Sequence, residues 1–339
     1  MITLSPKISV VMPVYNAFNY VEESIKSILN QSYTNFELII LNDKSTDESL
    51  TILKKMQASD DRIILVDRET NSGPAVVRNQ GVAMSKGQYI AFMDADDISL
   101  PNRFEKQVKK LDENPEIEVC GSWFTLFGEN IDNQLIKHFE NHEELKVQFL
   151  NECYIGNPTI MCRKEVFESE QFDGTYFPMD DYELWARVIG KHHFYNIQES
   201  LLQYRWHETN ISSTKKVNLK EIHNKIRINQ LKEFNIDSST PNFENYLHTL
   251  LFTKRQDWET TISILKCKNE LIDKNRSKKI FSIPIFEKQI NETVIRTVLK
   301  LKKYNLKFLS YLLKNEKKLF KNLSIKHQIK IIFKSIFKL

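Results

Sequence analysis

Glycine is scarce in this chain, with 8 residues in 339. That excludes low-complexity linkers and collagen-like repeats. No motif recurs at the period of a solenoid. The four cysteines, Cys120, Cys153, Cys162 and Cys267, include no C-x-x-C pair. Their spacings suit neither a zinc site nor a disulfide framework, so reduced thiols of a cytosolic protein are expected. No stretch reaches the ~18 consecutive apolar residues of a membrane-spanning helix. The opening "MITLSPKISVVMPVYN" lacks the basic region and cleavage site of a signal peptide and reads as a first strand. Acids are nearly missing from residues 301–339, where 11 Lys face one acid, Glu316, for a local charge of +10. The whole chain carries only +4, which leaves −6 on the other 300 residues. A mildly acidic body thus precedes a basic tail that suits an anionic partner.

What is present is ordinary for a globular protein: 41% apolar and 27% charged residues. The length favours two domains. The first part alternates strand and helix. Strands are expected at "ISVVMPV" (8–14), "FELIILND" (36–43), "RIILVDR" (62–68), "YIAFMDADD" (89–97) and "EVCGSWFTLF" (118–127). Helices are expected at 20–32, after a capping box with Ser45 or Thr46 as N-cap and Glu48 nearby, from Pro74 to about Gly87, and at 103–115. Such alternation predicts an α/β fold with a mostly parallel sheet flanked by helices. Ligands of open α/β sheets sit beyond the carboxyl ends of the strands. Asn16, Asp43, Asp67 and Asp94 fall at those ends. Further on, 180–191 reads as a helix and 194–208 as a short strand or two. Helical spacing then covers 217–233, 243–252, 257–273, 285–313 and 323–337. A domain boundary is expected near 213–220, giving an α/β domain over 1–213 and a helical region over 214–339.

Four constellations carry possible chemistry, and each has a plain structural alternative. In "MDADD", Asp94, Asp96 and Asp97 concentrate negative charge that a hard cation would relieve. Alternatively they cap the next helix. In "NSGPAVVRNQG", Gly73 permits a tight approach to a helix N-terminus, and Arg78 lies about one turn in. Alternatively this is an ordinary loop-to-helix turn. In "MDDYELWAR", Asp180 and Asp181 complement a helix dipole, or one serves as general base. In "YRWHETNIS", His207 is a structural imidazole or a ligand for metal or phosphate.

Taken in order, "PVYN", "LNDKSTDES", "NSGPAVVRN", "YIAFMDADD", "DDYELWARV" and "YRWHETNIS" resemble the family-2 glycosyltransferases of the GT-A fold, over about Ile8 to Ser213. The resemblance implies that Pro13, Val14, Tyr15, Asn16 and Asp43 cradle a nucleotide base, with Asn71, Gly73 and Arg78 along the nucleotide. It implies that Asp94 and Ala95 border the ribose and that Asp96, with His207, holds a divalent cation, Mn2+ or Mg2+, on the diphosphate. Asp181 is then the catalytic base. Asp180 stands where the family more often has Glu. Asn157, Pro158 and Thr159 match the acceptor side, alongside Asp180. The implied reaction is inverting transfer of one sugar from a nucleotide-sugar to a glycan or lipid-linked hydroxyl. UDP is the commonest nucleotide of the family, with GDP and dTDP open.

Three other readings compete. A sugar nucleotidyltransferase opens with a G-x-G-x-R turn, which "PVYNAFNY" lacks. A processive synthase carries Q-x-x-R-W and membrane spans, whereas "QYRW" (203–206) is one residue short. A non-catalytic nucleotide-sugar-binding module would lack a base. In the tail, about 317–339, Ile325, Ile329, Ile332, Phe333, Ile336 and Phe337 share a helical face, flanked by Lys326, Lys330, Lys334 and Lys338. That composition suits an anionic membrane surface. The alternative is a helix packed on the body with its lysines solvated. No recognition motif accompanies the charge, so nucleic acid is not the expected partner. A cytoplasmic protein, peripheral on the inner membrane face, is the corresponding expectation.

Overall fold

The computed structural model describes residues 5–208, 210, 219–252 and 254–337. The chain forms two compact units, Met1–Leu145 with Glu152–Ile222, and Lys146–Asn151 with His223–Leu339. The expected boundary at 213/214 lies outside the described residues. No local pattern marks 146–151 as part of the second unit.

In the first unit, β1 (Ile8–Val14), β2 (Phe36–Asn42), β3 (Ile63–Asp67) and β4 (Tyr89–Phe92) run parallel in the order β3-β2-β1-β4. Ile8 lies opposite Phe36 on one side and Tyr89 on the other. β2 is buried along its whole length and β1 nearly so, which is why both read as continuous apolar runs rather than alternating ones. Each fully buried Val, Leu, Ile or Met here contributes about 1.5–3 kcal/mol. The sheet continues through β8 (Met161–Arg163), β6 (Val119–Gly128), β9 (Phe194–Trp206) and β5 (Ile98–Ser99), with β7 (Gln134–Ile136) on β6. β8 is antiparallel to β4 and β6, and β9 is parallel to β6. Helices α1 (Val21–Leu29), α2 (Ser49–Ser59), α3 (Pro74–Met84), α4 (Arg103–Glu113), α5 (His142–Gln148) and α6 (Asp180–Val188) connect the strands.

Three local expectations are corrected. Ser45 and Thr46 do not cap α2. The helix starts at Ser49 after Glu48, which makes no side-chain cap bond, because Ser45 and Thr46 are held by Asn16 instead. The fourth strand ends at Phe92, and "DADD" is a turn closed by Asp97 N donating to Asp94 O at 3.4 Å. Residues 194–206 make one 13-residue strand, carried past two register irregularities opposite Ser122–Thr125.

The second unit is helical, with α7 (Leu219–Leu231) from His223 onward, α8 (Phe243–Leu250), α9 (Trp258–Lys278), α10 (Ile283–Leu299), α11 (Leu306–Asn315), α12 (Lys317–Lys321) and α13 (Ile325–Phe337). The run expected at 285–313 is two helices. Asn305 starts the second, its side chain accepting from Phe308 N. Phe234, Phe281 and Phe286 stack mutually in this unit's core. Lys268 and Glu316 form a buried ion pair at 2.5 Å. Among the described residues no helix is long and apolar enough to cross a membrane.

Candidate active site

The site is assembled from the strand tips outward. β1 delivers Pro13 and Val14, and then the exposed Tyr15. Met93 N donates to Val11 O where β4's pairing with β1 ends, so Pro13 faces no further ladder partner on that side. Asn16 follows with φ 50°, a left-handed conformation that Asn tolerates better than most residues. It binds the loop after β2 three times: its N–H donates to Ser45 Oγ at 3.0 Å, and its Oδ1 accepts from Thr46 N at 2.8 Å and from Thr46 Oγ1 at 3.3 Å. Ala17 N and Phe18 N donate to Ser49 Oγ and Asp47 Oδ2 at 2.9 and 3.0 Å.

Asp43, just past β2, is buried. Its carboxylate accepts from Arg68 Nη1 at 2.6 Å, from Ser72 N at 3.1 Å and from Gly73 N at 2.8 Å. It therefore anchors the loop that leads into α3, and Asn71 sits exposed on that loop. Gly73 has φ +82°, a region L side chains rarely adopt, and Pro74 opens the helix. One turn later Arg78 is buried. Its Nη1 donates to Asp180 Oδ2 and its Nη2 to Asp94 Oδ1, both at 3.1 Å. Burial pulls the guanidinium pKa down, but Asp94, Asp180 and Asp181 outweigh it and leave it raised. α3 reaches this position because Gly81 lies flat on β1. A Cβ there would stand 2.4 Å from Val11 Cγ1.

The acidic turn divides its labour. Asp94 is half-buried and faces Arg78. Ala95 is buried. Asp96 Oδ2 lies 3.0 Å from His207 Nε2, and His207 stacks on Tyr20 with ring centroids 4.7 Å apart. Burial, with the charge of Asp94, raises the Asp96 carboxyl above its ordinary pKa. Asp97 is fully buried, and burial with Asp96 and Asp94 pushes it far higher. Its Oδ1 accepts from Arg205 N at 2.8 Å, and its carbonyl from Ser24 Oγ at 2.5 Å. Asp97 thus locks the turn in place.

Asp181, in the first turn of α6, is half-buried and accepts from Tyr182 N at 2.7 Å. Burial and the neighbouring Asp180 raise its carboxyl to about 6, against a downward pull from Arg78. Such a group is ionised at neutral pH and close to the operating pH that suits a general base. Beneath α6, Asn157 Oδ1 accepts from Trp185 Nε1 at 3.1 Å, and its Nδ2 is buried with no partner among the described residues. Pro158 and Thr159 are buried, and Thr159 Oγ1 donates to Gly156 O and accepts from Ser122 N.

Arg78 thus joins Asp94 and Asp180, and His207 joins Asp96. Together these contacts gather α3, the turn after β4, α6 and the end of β9. Among the described residues no three His, Cys, Asp or Glu side chains converge on one point. Two donors, the Asp96 carboxylate and the His207 imidazole, still fit a hard divalent cation whose other ligands come from a diphosphate. Sequence reasoning missed Arg205. Its Nε donates to Asp96 O at 2.8 Å, its Nη2 to Glu23, and its guanidinium lies over Tyr20 and Phe127. The available signal was its position two residues before His207 at the end of a strand, where alternate residues share a face.

Comparison with known proteins identifies the family and the fold. Residues 9–170 match the model of Glycosyl transferase family 2. The putative teichuronic acid biosynthesis glycosyltransferase TuaG of Bacillus subtilis is 32% identical over 215 residues, 62% of this chain and 83% of TuaG. An uncharacterized glycosyltransferase of Methanocaldococcus jannaschii is 35% identical over 207 residues, 59% of this chain and 71% of its own length. Among solved structures, S. aureus TarS 1–349 in complex with UDP-GlcNAc superposes with a TM-score of 0.54 at 17% identity, covering 86% of this chain and 92% of that one. The sheet with its flanking helices is the GT-A fold, and the chain belongs to glycosyl transferase family 2.

Proposed function

We propose that this chain transfers a single sugar, with inversion at the anomeric carbon, from a UDP-sugar to a hydroxyl of a glycan or lipid-linked glycan during surface polysaccharide synthesis. The observation that carries this reading is the Arg78 bridge. One buried guanidinium contacts both the strand-tip Asp94 and Asp180, next to Asp181. It brings a donor-side acid and a candidate base into one electrostatic unit.

In this reading Asp181 accepts the proton of the acceptor hydroxyl, which attacks from the face opposite the diphosphate. Arg78 is a positioning residue that fixes Asp94 and Asp180. Tyr15 and Asn16 border the base, with Asp43 holding the 68–73 loop beside it. Asp96 and His207 would hold Mn2+ or Mg2+. When bound, that cation neutralises charge on the leaving diphosphate. Asn157, whose buried Nδ2 has no partner among the described residues, is the acceptor-side contact in this reading. UDP is supported by the neighbour TarS, whose structure holds UDP-GlcNAc, and surface polysaccharide synthesis by the relative TuaG. Four free cysteines suit a cytoplasmic location.

The test is a thermal-shift screen of UDP-, GDP- and dTDP-sugars with Mn2+, followed by release of nucleoside diphosphate from the donor that binds. A ligand of the native state raises its melting temperature. Stabilisation without any turnover, across glycan acceptors and water, would leave a binding module instead.

A further inference from the structure

The last helix presents the wrong face to the protein for a purely structural element. With ~100° between successive residues, Ile325, Ile329, Ile332 and Ile336 form one stripe on α13, with Phe333 and Phe337 along its edge. An amphipathic helix that stabilises a fold turns that stripe inward. Here the stripe faces out: Ile325 is 75% exposed, and the other five are exposed too. The buried residues of α13 are Ile331 and Ser335, about 130° and 90° around from the centre of the isoleucine stripe. Ile331 belongs to the core cluster of Phe308, Leu309 and Leu312, and Lys334 lies over the Tyr304 ring. The helix is therefore anchored by its minor apolar side and displays its major one.

The neighbouring α11 packs against α13 and exposes Leu306 and Leu313, seven residues apart on one helix face. Among the described residues, eight of the thirteen exposed large hydrophobics fall on these two helices. Within residues 301–337 the exposed charge has one sign. Lys302, Lys303, Lys307, Lys314, Lys326 and Lys330 are exposed. The one acid of the segment, Glu316, is buried against Lys268 and gives no surface charge.

We propose that α13, with α11 beside it, docks this protein on an anionic lipid bilayer. The Ile and Phe stripe would enter the boundary between headgroups and acyl chains, and the lysines would contact lipid phosphates. A second copy of the chain is the poorer occupant. A symmetric pairing through this face would set lysines against lysines, with no surface acid of the segment to compensate. The inference does not depend on the transferase reading.

The experiment is cosedimentation of the full chain with vesicles of phosphatidylcholine containing phosphatidylglycerol, and with phosphatidylcholine alone. Binding is expected only to the anionic vesicles and should fall with salt. Ile329→Asp with Phe333→Asp should abolish it while leaving the melting temperature unchanged, because both side chains are exposed. Lys326→Gln with Lys330→Gln should weaken it about 25-fold, near fivefold per lysine. Equal binding to neutral vesicles, no binding, or unaltered binding by the Asp variant would overturn the proposal. So would a dimer in sedimentation velocity that the Asp variant dissociates, since the face would then belong to a second copy.

Discussion

The imidazole of His207 lies 3.0 Å from the carboxylate of Asp96, across 111 residues of sequence. Tyr20 stacks on the ring and fixes its plane. If this pair is the protein's share of a divalent-cation site, then Asp96→Asn and His207→Ala should each remove the Mn2+-dependent part of UDP binding. Calorimetry with Mn2+ and with EDTA measures that part directly. Undiminished Mn2+ dependence in Asp96→Asn would reject the assignment.

Asp181 is the test of chemistry. Asp181→Asn should lower transfer by about 10²–10⁴-fold, the range of a general base, with nucleotide affinity retained. The wild-type pH profile carries a sign. The carboxyl is raised to about 6, so its ionised form is lost as pH falls through 6. The rate should therefore decline about tenfold per unit below that point and level off above it. A flat profile between pH 5 and 7, in the same assay, would assign the base elsewhere.

Arg78 should matter for stability and for that profile. Arg78→Leu leaves Asp180 and Asp94 facing each other without their shared cation. Breaking a buried pair from one side costs about 3–5 kcal/mol, which urea unfolding reads. It also removes the pull that lowers the Asp181 carboxyl, so the acid limb should move above 6. A loss of stability with an unmoved limb would mean that Arg78 does not act on the base.

Gly81→Ala probes the same residue from behind. A methyl at 81 would collide with Val11 Cγ1 and crowd Leu41 Cδ1, at 2.4 and 3.1 Å from the Cβ position. Overpacking of this kind costs about 1–3 kcal/mol. Because the shift lifts α3, turnover should fall together with stability. Val11→Ala in the same chain should restore part of both by giving the methyl room.

The strand tips were legible because β1 and β2, buried on both faces, end in polar residues with no intervening ambiguity. The order of Asn16, Asp43, Asp94 and Asp181 along the chain could be read directly. Pairings between distant segments could not. Nothing local tells that Ser45 and Thr46 bond Asn16 rather than cap α2, since the same hydroxyls suit either partner. Nor does sequence show Arg78 choosing Asp94 and Asp180, because ion pairing depends on how closely α3 rides on the sheet. The length of β9 was missed for a related reason. Its middle, "QES", is polar and partly exposed, and pairing with β6 resumes beyond register shifts that a local pattern does not record. The tail shows the reverse. Its apolar stripe was plain in sequence, but which way the stripe faces is a matter of packing alone. Lys338, part of that pattern, lies outside the described residues.

Arg205 gives the end of β9 an unusual grip on the acidic turn. Its backbone N–H holds Asp97 Oδ1 and its side chain holds Asp96 O. The residue two places on is His207. The strand end that leads to the imidazole is therefore also the one that clamps the turn bearing the carboxylate the ring faces. A displacement of that strand end moves both members of the pair together, so their spacing is set by a few covalent bonds and two short hydrogen bonds rather than by the sheet as a whole. Thermal breathing of the sheet should blur the position of this site long before it alters the distance within it.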